Sequence, residues 1–268
     1  MRIAALRENG SSAVLAIVRV GSNPGDIAYE RGALKRAEST GVETKCVQLA
    51  ENVSQDEIEQ IIEDLNNDNA VSGVLIMRPL PKTLSEERIC AMLKPEKDVD
   101  GITPGSMAFV FTGSGDGYPP CTAEACIEIL DHYGIELLGK NVTVFGRSLV
   151  IGKPVSCMAL ARNATVTICH SRTPKEELAI AGKNADVVIA AVGKAKFVKE
   201  YMIDEGSIVI DVGINEGDGG GITGDVDFES AEPKAAAITP VPGGVGSVTT
   251  AVLMKHVIDA AEKLQEGR

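Results

Sequence analysis

Two glycines, two cations and a hydroxyl fall within nine residues in GRSLVIGKP, positions 146–154, directly after the apolar run NVTVF. Such a loop could hold a phosphate. A triphosphate-binding Walker loop places four residues between its glycines and follows its lysine with a Ser or Thr hydroxyl for magnesium. Here five residues separate Gly146 from Gly152, and Pro154 follows Lys153. Both mismatches fall on functional features, so triphosphate chemistry is disfavoured. The remaining candidate is a dinucleotide, whose pyrophosphate can sit on backbone amides where a strand passes into a helix. The loop runs from NVTVF into the apolar stretch VSCMALARN, which supplies that context. The usual GxGxxG spacing is absent, so on pattern alone a plain strand-to-helix turn is an equal reading.

The end of the next apolar run bears on which dinucleotide. An NAD site places an acidic residue about 20 positions past the glycines to bond the ribose, whereas an NADP site offers cations and hydroxyls to the extra phosphate. ATVTI runs into CHSRT, with Ser171 and Arg172 and no carboxylate. With Arg147 available from the loop, NADP is the better match and NAD the weaker. The alternative is a solvated strand end whose arginine is incidental. No metal site is expected. The six cysteines (Cys46, Cys90, Cys121, Cys126, Cys157, Cys169) form no CxxC pair, and His132, His170 and His256 are far apart, so the thiols read as buried and free.

Strands and helices must position these groups. Apolar runs alternate with amphipathic stretches: VLAIVRV (14–20), TKCVQLA (44–50), VSGVLIM (71–77), NVTVF, ATVTI (164–168), ADVVIAAVG (185–193) and SIVIDVG (207–213). Alternation of this kind predicts α/β architecture with parallel sheets covered by helices. It falls into two blocks, separated by DVDGITPGSMAFVFTGSGDGYPP, which reads as the crossing between domains. SVTTAVLMKHVIDAAEKLQE reads as a closing helix, capped by Ser247 or Thr249, with Val252, His256, Ile258 and Ala261 on one face.

The chain has 268 residues, enough for one large or two modest domains. A net charge of -12 repels phosphate backbones and anionic membrane surfaces, so neither nucleic acid nor membrane is an expected partner. No apolar run reaches the length of a membrane span, and MRIAALRENGSS lacks the apolar core of a secretory signal, which predicts a cytoplasmic location.

Taken together, GRSLVIGKP, ATVTICHSRT, SIVIDVGIN, GDVDF and TPVPGGVG, with RPLP and PEKDVDG earlier, resemble the bifunctional methylenetetrahydrofolate dehydrogenase/methenyltetrahydrofolate cyclohydrolase family. The resemblance spans nearly the whole chain from residue 14 and follows the family's order. It implies two α/β domains with a substrate cleft between them: a folate-binding domain over 1–119, joined by the helix 248–268, and a Rossmann domain over 120–247. It implies NADP, a folate substrate and a homodimer. It assigns cofactor contacts to Gly146, Arg147, Ser148, Gly152, Ser171, Arg172, Val192, Gly193 and Ile214. It assigns substrate contacts to Tyr29, Pro79, Leu80, Asp100, Pro242, Gly243 and Gly244. A pterin presents an amino group beside a ring N–H, which one carboxylate can receive with paired hydrogen bonds, and the resemblance gives Asp100 that role. Asp98 reads as a turn residue bonding nearby backbone.

The family's second reaction hydrolyses the methenyl cation and uses a Tyr, a Lys four residues later, and a nearby Gln. This chain keeps Tyr29 but has Ala33 in the lysine position, and Met77 stands where the family has Gln. Lys35 is the nearest amine, yet six residues along a helix place it about 120° around from Tyr29. Arg36 returns to that face, but a guanidinium does not give up a proton at working pH. The pattern predicts a dehydrogenase in which cyclohydrolase activity is weak or lost. A shifted register that brings Lys35 into catalysis, and a dinucleotide-binding sensor without turnover, are the alternatives. Further departures from the family are Asp26, Ser106, Ala108 and Ser247.

Overall fold

A computed structural model describes residues 2–217 and 220–266. Asp218 and Gly219 of the glycine-rich turn, Met1, and residues 267 and 268 of the expected closing helix lie outside the described residues. The chain divides into two compact units, one built from residues up to Cys121 together with Thr250 onward, the other from Thr122–Thr249.

The first unit contains α1 (Arg2–Glu8), β1 (Val14–Val20), α2 (Pro24–Thr40), β2 (Glu43–Leu49), α3 (Gln55–Asn67), β3 (Gly73–Ile76), α4 (Glu86–Met92) and α5 (Pro104–Thr112). Its three strands are all parallel, in the order β2-β1-β3. Central β1 reads as a nearly continuous apolar run because both of its faces are covered. Asn23 caps α2 by accepting from the N–H of Gly25 at 2.8 Å, and Gly41, at φ 82°, ends it where a side chain would be strained. Ile58, Ile62 and Leu65 recur at helical spacing on α3 and are buried with Val18, Val74, Ile76 and Ile89 in one core.

The second unit contains α6 (Cys121–His132), β4 (Asn141–Phe145), α7 (Gly152–Ala161), β5 (Thr165–Cys169), α8 (Lys175–Lys183), β6 (Val187–Ala190), β7 (Ile208–Asp211), the β8 (Asn215–Glu216) and β9 (Ile222–Thr223) hairpin, α9 (Phe228–Ala231), β10 (Ala237–Ile238) and the start of α10 (Val245–Glu266). Its sheet is parallel, in the order β10-β7-β6-β4-β5. The strand order reverses at β4. Its sequence neighbour β5 lies on one side and β6 on the other, so the loops leaving β4 and β6 diverge and open a crevice at the strand ends.

Two expectations need correction. The Gly- and Pro-rich segment read as the crossing between domains contains a helix that was not expected, α5, capped by Thr103 and ended by Gly113 at φ 69°. Its glycines and proline mask a run, MAFVF, that helix formation accommodates once Pro104 takes the first turn. The closing helix begins at Val245, so Ser247 and Thr249 lie inside its first turns and do not cap it. Thr249 Oγ1 instead donates back to the Val245 carbonyl at 3.1 Å.

Candidate functional site

In the first unit the chemistry gathers around Asp100. It follows the short 3₁₀ turn Pro95–Lys97, whose fold is secured by Asp98. Asp98 is 0% exposed and accepts from the N–H of Ile102 at 2.9 Å and of Thr103 at 2.7 Å. Asp100 is half-buried, and its carboxyl is pushed up to about 6. Loss of water is the main cause; Asp98 adds to it, while Arg78, a hydrogen bond with Cys121, and His256 draw it back. Tyr29, on α2, is raised above its ordinary range by burial first and then by Asp100 and Cys121. It is therefore a neutral phenol at any physiological pH, able to donate a hydrogen bond but not to act as a base.

Residues remote in sequence hold Asp100 in place. His256, on α10, donates from Nδ1 to the Val99 carbonyl at 2.8 Å and stacks against Tyr118 at 4.9 Å. Cys121 Sγ donates to the same carbonyl at 3.1 Å. Arg78 Nη1 meets Glu86 at 3.5 Å, and Glu86 also accepts from the N–H of Leu80 at 2.9 Å, which ties the RPLP turn to the start of α4. Sequence reasoning passed over Cys121, His256 and Arg78. Only the polarity of His256 within an apolar helix face, and of Arg78 at the end of an apolar strand, hinted at them.

Ala33 is 0% exposed and Met77 is 5% exposed, so the two positions are filled by apolar groups within the fold. Lys35 is exposed. Arg36 is half-buried on α2, with Nε at 3.4 Å from Thr250 Oγ1. Pro79 is exposed, whereas Leu80 turns its side chain into the core. What Leu80 can offer a ligand is therefore its backbone.

In the second unit the predicted cofactor residues cluster at the strand ends beside the crevice. The loops after β4 and β5 leave side by side, since Phe145 pairs with Cys169 and the Gly146 N–H reaches the Cys169 carbonyl at 2.8 Å. Gly146 adopts φ 130°, and a Cβ there would strike the Ala191 carbonyl of the loop after β6. A Cβ on Gly152 would strike the Gly146 carbonyl. The glycines are thus required by backbone packed on backbone. Arg147, Ser148, Ser171 and Arg172 are exposed, as are Gly193 and Ile214, while Val192 is half-buried. Exposed cations and hydroxyls at the ends of β4 and β5, with the start of α7 at Gly152, form a set suited to a phosphorylated dinucleotide. Pro242 and Gly243 are exposed, and Gly243 and Gly244 line an apolar cavity of about 680 Å³ beside β7 and β10. Among the described residues, no group of three or more His, Cys, Asp or Glu side chains could hold a metal ion, and no helix is long and apolar enough to cross a membrane.

The sequence matches two family models in tandem: the tetrahydrofolate dehydrogenase/cyclohydrolase catalytic domain over residues 1–100, and the NAD(P)-binding domain of the same family over residues 120–265. The chain belongs to the tetrahydrofolate dehydrogenase/cyclohydrolase family. Among its relatives, a protein named bifunctional protein FolD from Clostridioides difficile is 49% identical, with 98% of this chain and 91% of that protein covered. The crystal structure of the bifunctional FolD enzyme from Campylobacter jejuni superposes with a TM-score of 0.95 at 36% identity, covering 98% of this chain and 92% of that one. The Trypanosoma brucei enzyme, described as complexed with NADP cofactor and inhibitor, gives a TM-score of 0.92 at 33% identity over 97% and 91%. The family thus accounts for both units.

Proposed function

We propose that this chain is an NADP-dependent methylenetetrahydrofolate dehydrogenase whose cyclohydrolase step is weak or lost. Family membership and the NADP-bound structure of the Trypanosoma brucei relative support the first half. The observation that carries the second is the fully buried Ala33, one helical turn from Tyr29 where the family has a lysine.

Bound NADP supplies the hydride acceptor. The chain's own residues bind and orient. Asp100 receives the donors on the pterin, and its ionised form is the competent one. Tyr29 offers its phenol O–H beside it. The strand-end glycines let backbone approach the dinucleotide, while Arg147, Ser171 and Arg172 meet its phosphates. Hydride loss turns the methylene carbon into a methenyl cation, with both electrons and the hydrogen leaving together, so this step needs no protein acid or base.

Hydrolysis is different, because water must lose protons as it attacks and the ring nitrogen must gain one. Tyr29 holds its proton too tightly to accept another group's, Lys35 is exposed, and Ala33 and Met77 carry no titratable atom. The bifunctional names of close relatives favour the second reading, in which hydrolysis persists through a rearranged site.

The deciding assay mixes protein, methylenetetrahydrofolate and NADP, and follows reduced cofactor and methenyl product together against a protein-free control. Reduced cofactor with methenyl decay at the control rate is the expected result. Faster decay with protein present establishes the bifunctional reading. Absence of reduced cofactor with either NADP or NAD overturns the enzymatic one.

A further inference from the structure

Two carboxylates with no part in the chemistry above lie side by side in the second unit. Asp211, the last residue of β7, is 3% exposed, and Asp225, in the GDVDF turn, is 0% exposed. Carboxylates are buried at such depth only where hydrogen bonds replace their water. Asp225 Oδ2 accepts from the backbone N–H of Val192 at 2.6 Å and Gly193 at 2.9 Å. Its Oδ1 accepts from the N–H of Lys194 at 2.8 Å and from Asn215 Nδ2 at 2.9 Å. Asp211 Oδ1 accepts from the N–H of Gly213 at 3.0 Å and of Asp225 at 2.9 Å, and Oδ2 from Val226 at 3.0 Å. The Asp211 N–H donates to Thr239 Oγ1 at 2.8 Å.

The pair therefore joins the loop after β6, the loop after β7, the GDVDF turn and the first residue of TPVPGGVG. The backbone is cut to fit it: a Cβ on Gly213 would strike the Asp225 carboxylate, and one on Gly224 the Asp211 carboxylate. Three successive N–H groups, 192–194, converge on one anion. This is the arrangement by which backbone nests bind anions, with a side chain of the same chain as the occupant.

We propose that Asp225 and Asp211 are positioning residues for the cofactor: they hold loop 192–194 and Ile214 in the shape that receives the dinucleotide, and so set cofactor affinity without setting folate affinity. The inference rests on the reading of Val192, Gly193 and Ile214 as cofactor contacts.

A pH dependence follows from the same geometry. Burial lifts Asp211 to about 6, with the three N–H bonds opposing and the Asp225 charge adding to the rise. The groups facing Asp211 are Asp225, the amides of Gly213, Val226 and Asp225 itself, and the Thr239 hydroxyl; among the described residues, no basic side chain is one of its hydrogen-bond partners. Below pH about 6 a proton on Asp211 competes with one of those amides, loosening the loops, and cofactor affinity falls. The 2′-phosphate of NADP also titrates near this range, so D211N, which retains the ligand's own titration, is the reference.

The test is calorimetric titration of the whole protein and of the D225N, D211N and N215A variants with NADP, from about pH 5 to about pH 8, beside steady-state kinetics. Asp225→Asn is expected to raise the NADP Kd about tenfold or more, since it turns an acceptor of several amides partly into a donor, while the KM for methylenetetrahydrofolate changes less than about twofold. Wild type should lose more NADP affinity than D211N on passing below pH about 6. An unchanged Kd in D225N, or equal losses of NADP and folate binding, overturns the proposal. If D225N fails to fold, N215A decides: removing one bond to Asp225 should raise the NADP Kd by about threefold, and no rise overturns the proposal. Wild type that neither binds nor reduces NADP would instead defeat the function proposed above.

Discussion

Asp100 is held under opposing demands. As the pterin contact proposed above its carboxyl must be ionised, yet its surroundings favour the proton and raise it to about 6. A carboxyl whose folded value exceeds its unfolded value, ordinarily 3.8, stabilises the fold most at low pH, and that contribution is lost as pH rises through about 6. Asp100→Asn is therefore expected to raise the thermal midpoint at pH about 7.5, by an amount equivalent to on the order of 1–3 kcal/mol. The same variant should raise the KM for methylenetetrahydrofolate by about tenfold or more while leaving NADP affinity unchanged, because an amide puts an NH2 donor where the carboxylate's second acceptor oxygen would face the paired donors. Calorimetric melts and steady-state kinetics check the two halves. In wild type, folate KM should rise as pH falls below about 6, and D100N should not show that rise. The double substitution A33K/M77Q addresses the other activity. It is expected to speed methenyl hydrolysis at least about tenfold over the parent while hydride transfer continues, since general acid–base groups contribute about that much or more. No gain would show that the lost pair is not what limits hydrolysis.

Strand-end glycines and the apolar faces of helices carry the element-scale argument. Gly146 sits at φ 130° against the Ala191 carbonyl, so Gly146→Ala must move the loop after β4, the loop after β6, or both. Cofactor affinity should fall about tenfold or more in this variant, measured by NADP titration, with folate binding retained in the first unit. Core positions behave differently. Ile62 is 0% exposed on α3, and Ile62→Ala should cost about 2–5 kcal/mol in denaturant unfolding without changing either ligand's affinity in the folded protein. The α/β alternation was legible because periodicity and capping are local: β1, α3 and β4 appear where their apolar runs and caps lie. Helix α5 was not, since Gly and Pro within GITPGSMAFVF weigh toward a loop locally, while Thr103, Pro104 and Gly113 together close a helix. The start of α10 was displaced for a similar reason. Ser247 and Thr249 have cap chemistry, but the turn beginning at Val245 already supplies helical bonds.

At the scale of the whole molecule, each unit is organised around its own parallel sheet. The family resemblance implies a homodimer, and sedimentation equilibrium should return about twice the 28.1 kDa chain mass; a mass of one chain at working concentration would remove that implication. The net charge of -12 coexists with exposed cations at Arg147 and Arg172, so raising salt should weaken NADP binding more than it weakens folate binding at the half-buried Asp100.

The amino-acid sequence by itself pointed to the family and the two-domain α/β class, gave the order of the longer strands, and put Ala33 and Met77 where the resemblance places a lysine and a glutamine. These are properties of residue type and local spacing, and they survive without coordinates. Tertiary structure alone decided what surrounds Asp100 and what shapes the loops after β6 and β7. His256 reaches Val99 across 157 positions, and Asp225 gathers the amides of 192–194 from more than 30 residues away. No periodicity encodes such contacts. They arise because parallel strands bring distant chain segments to one edge, where buried carboxylates must find N–H partners from whichever backbone the fold presents.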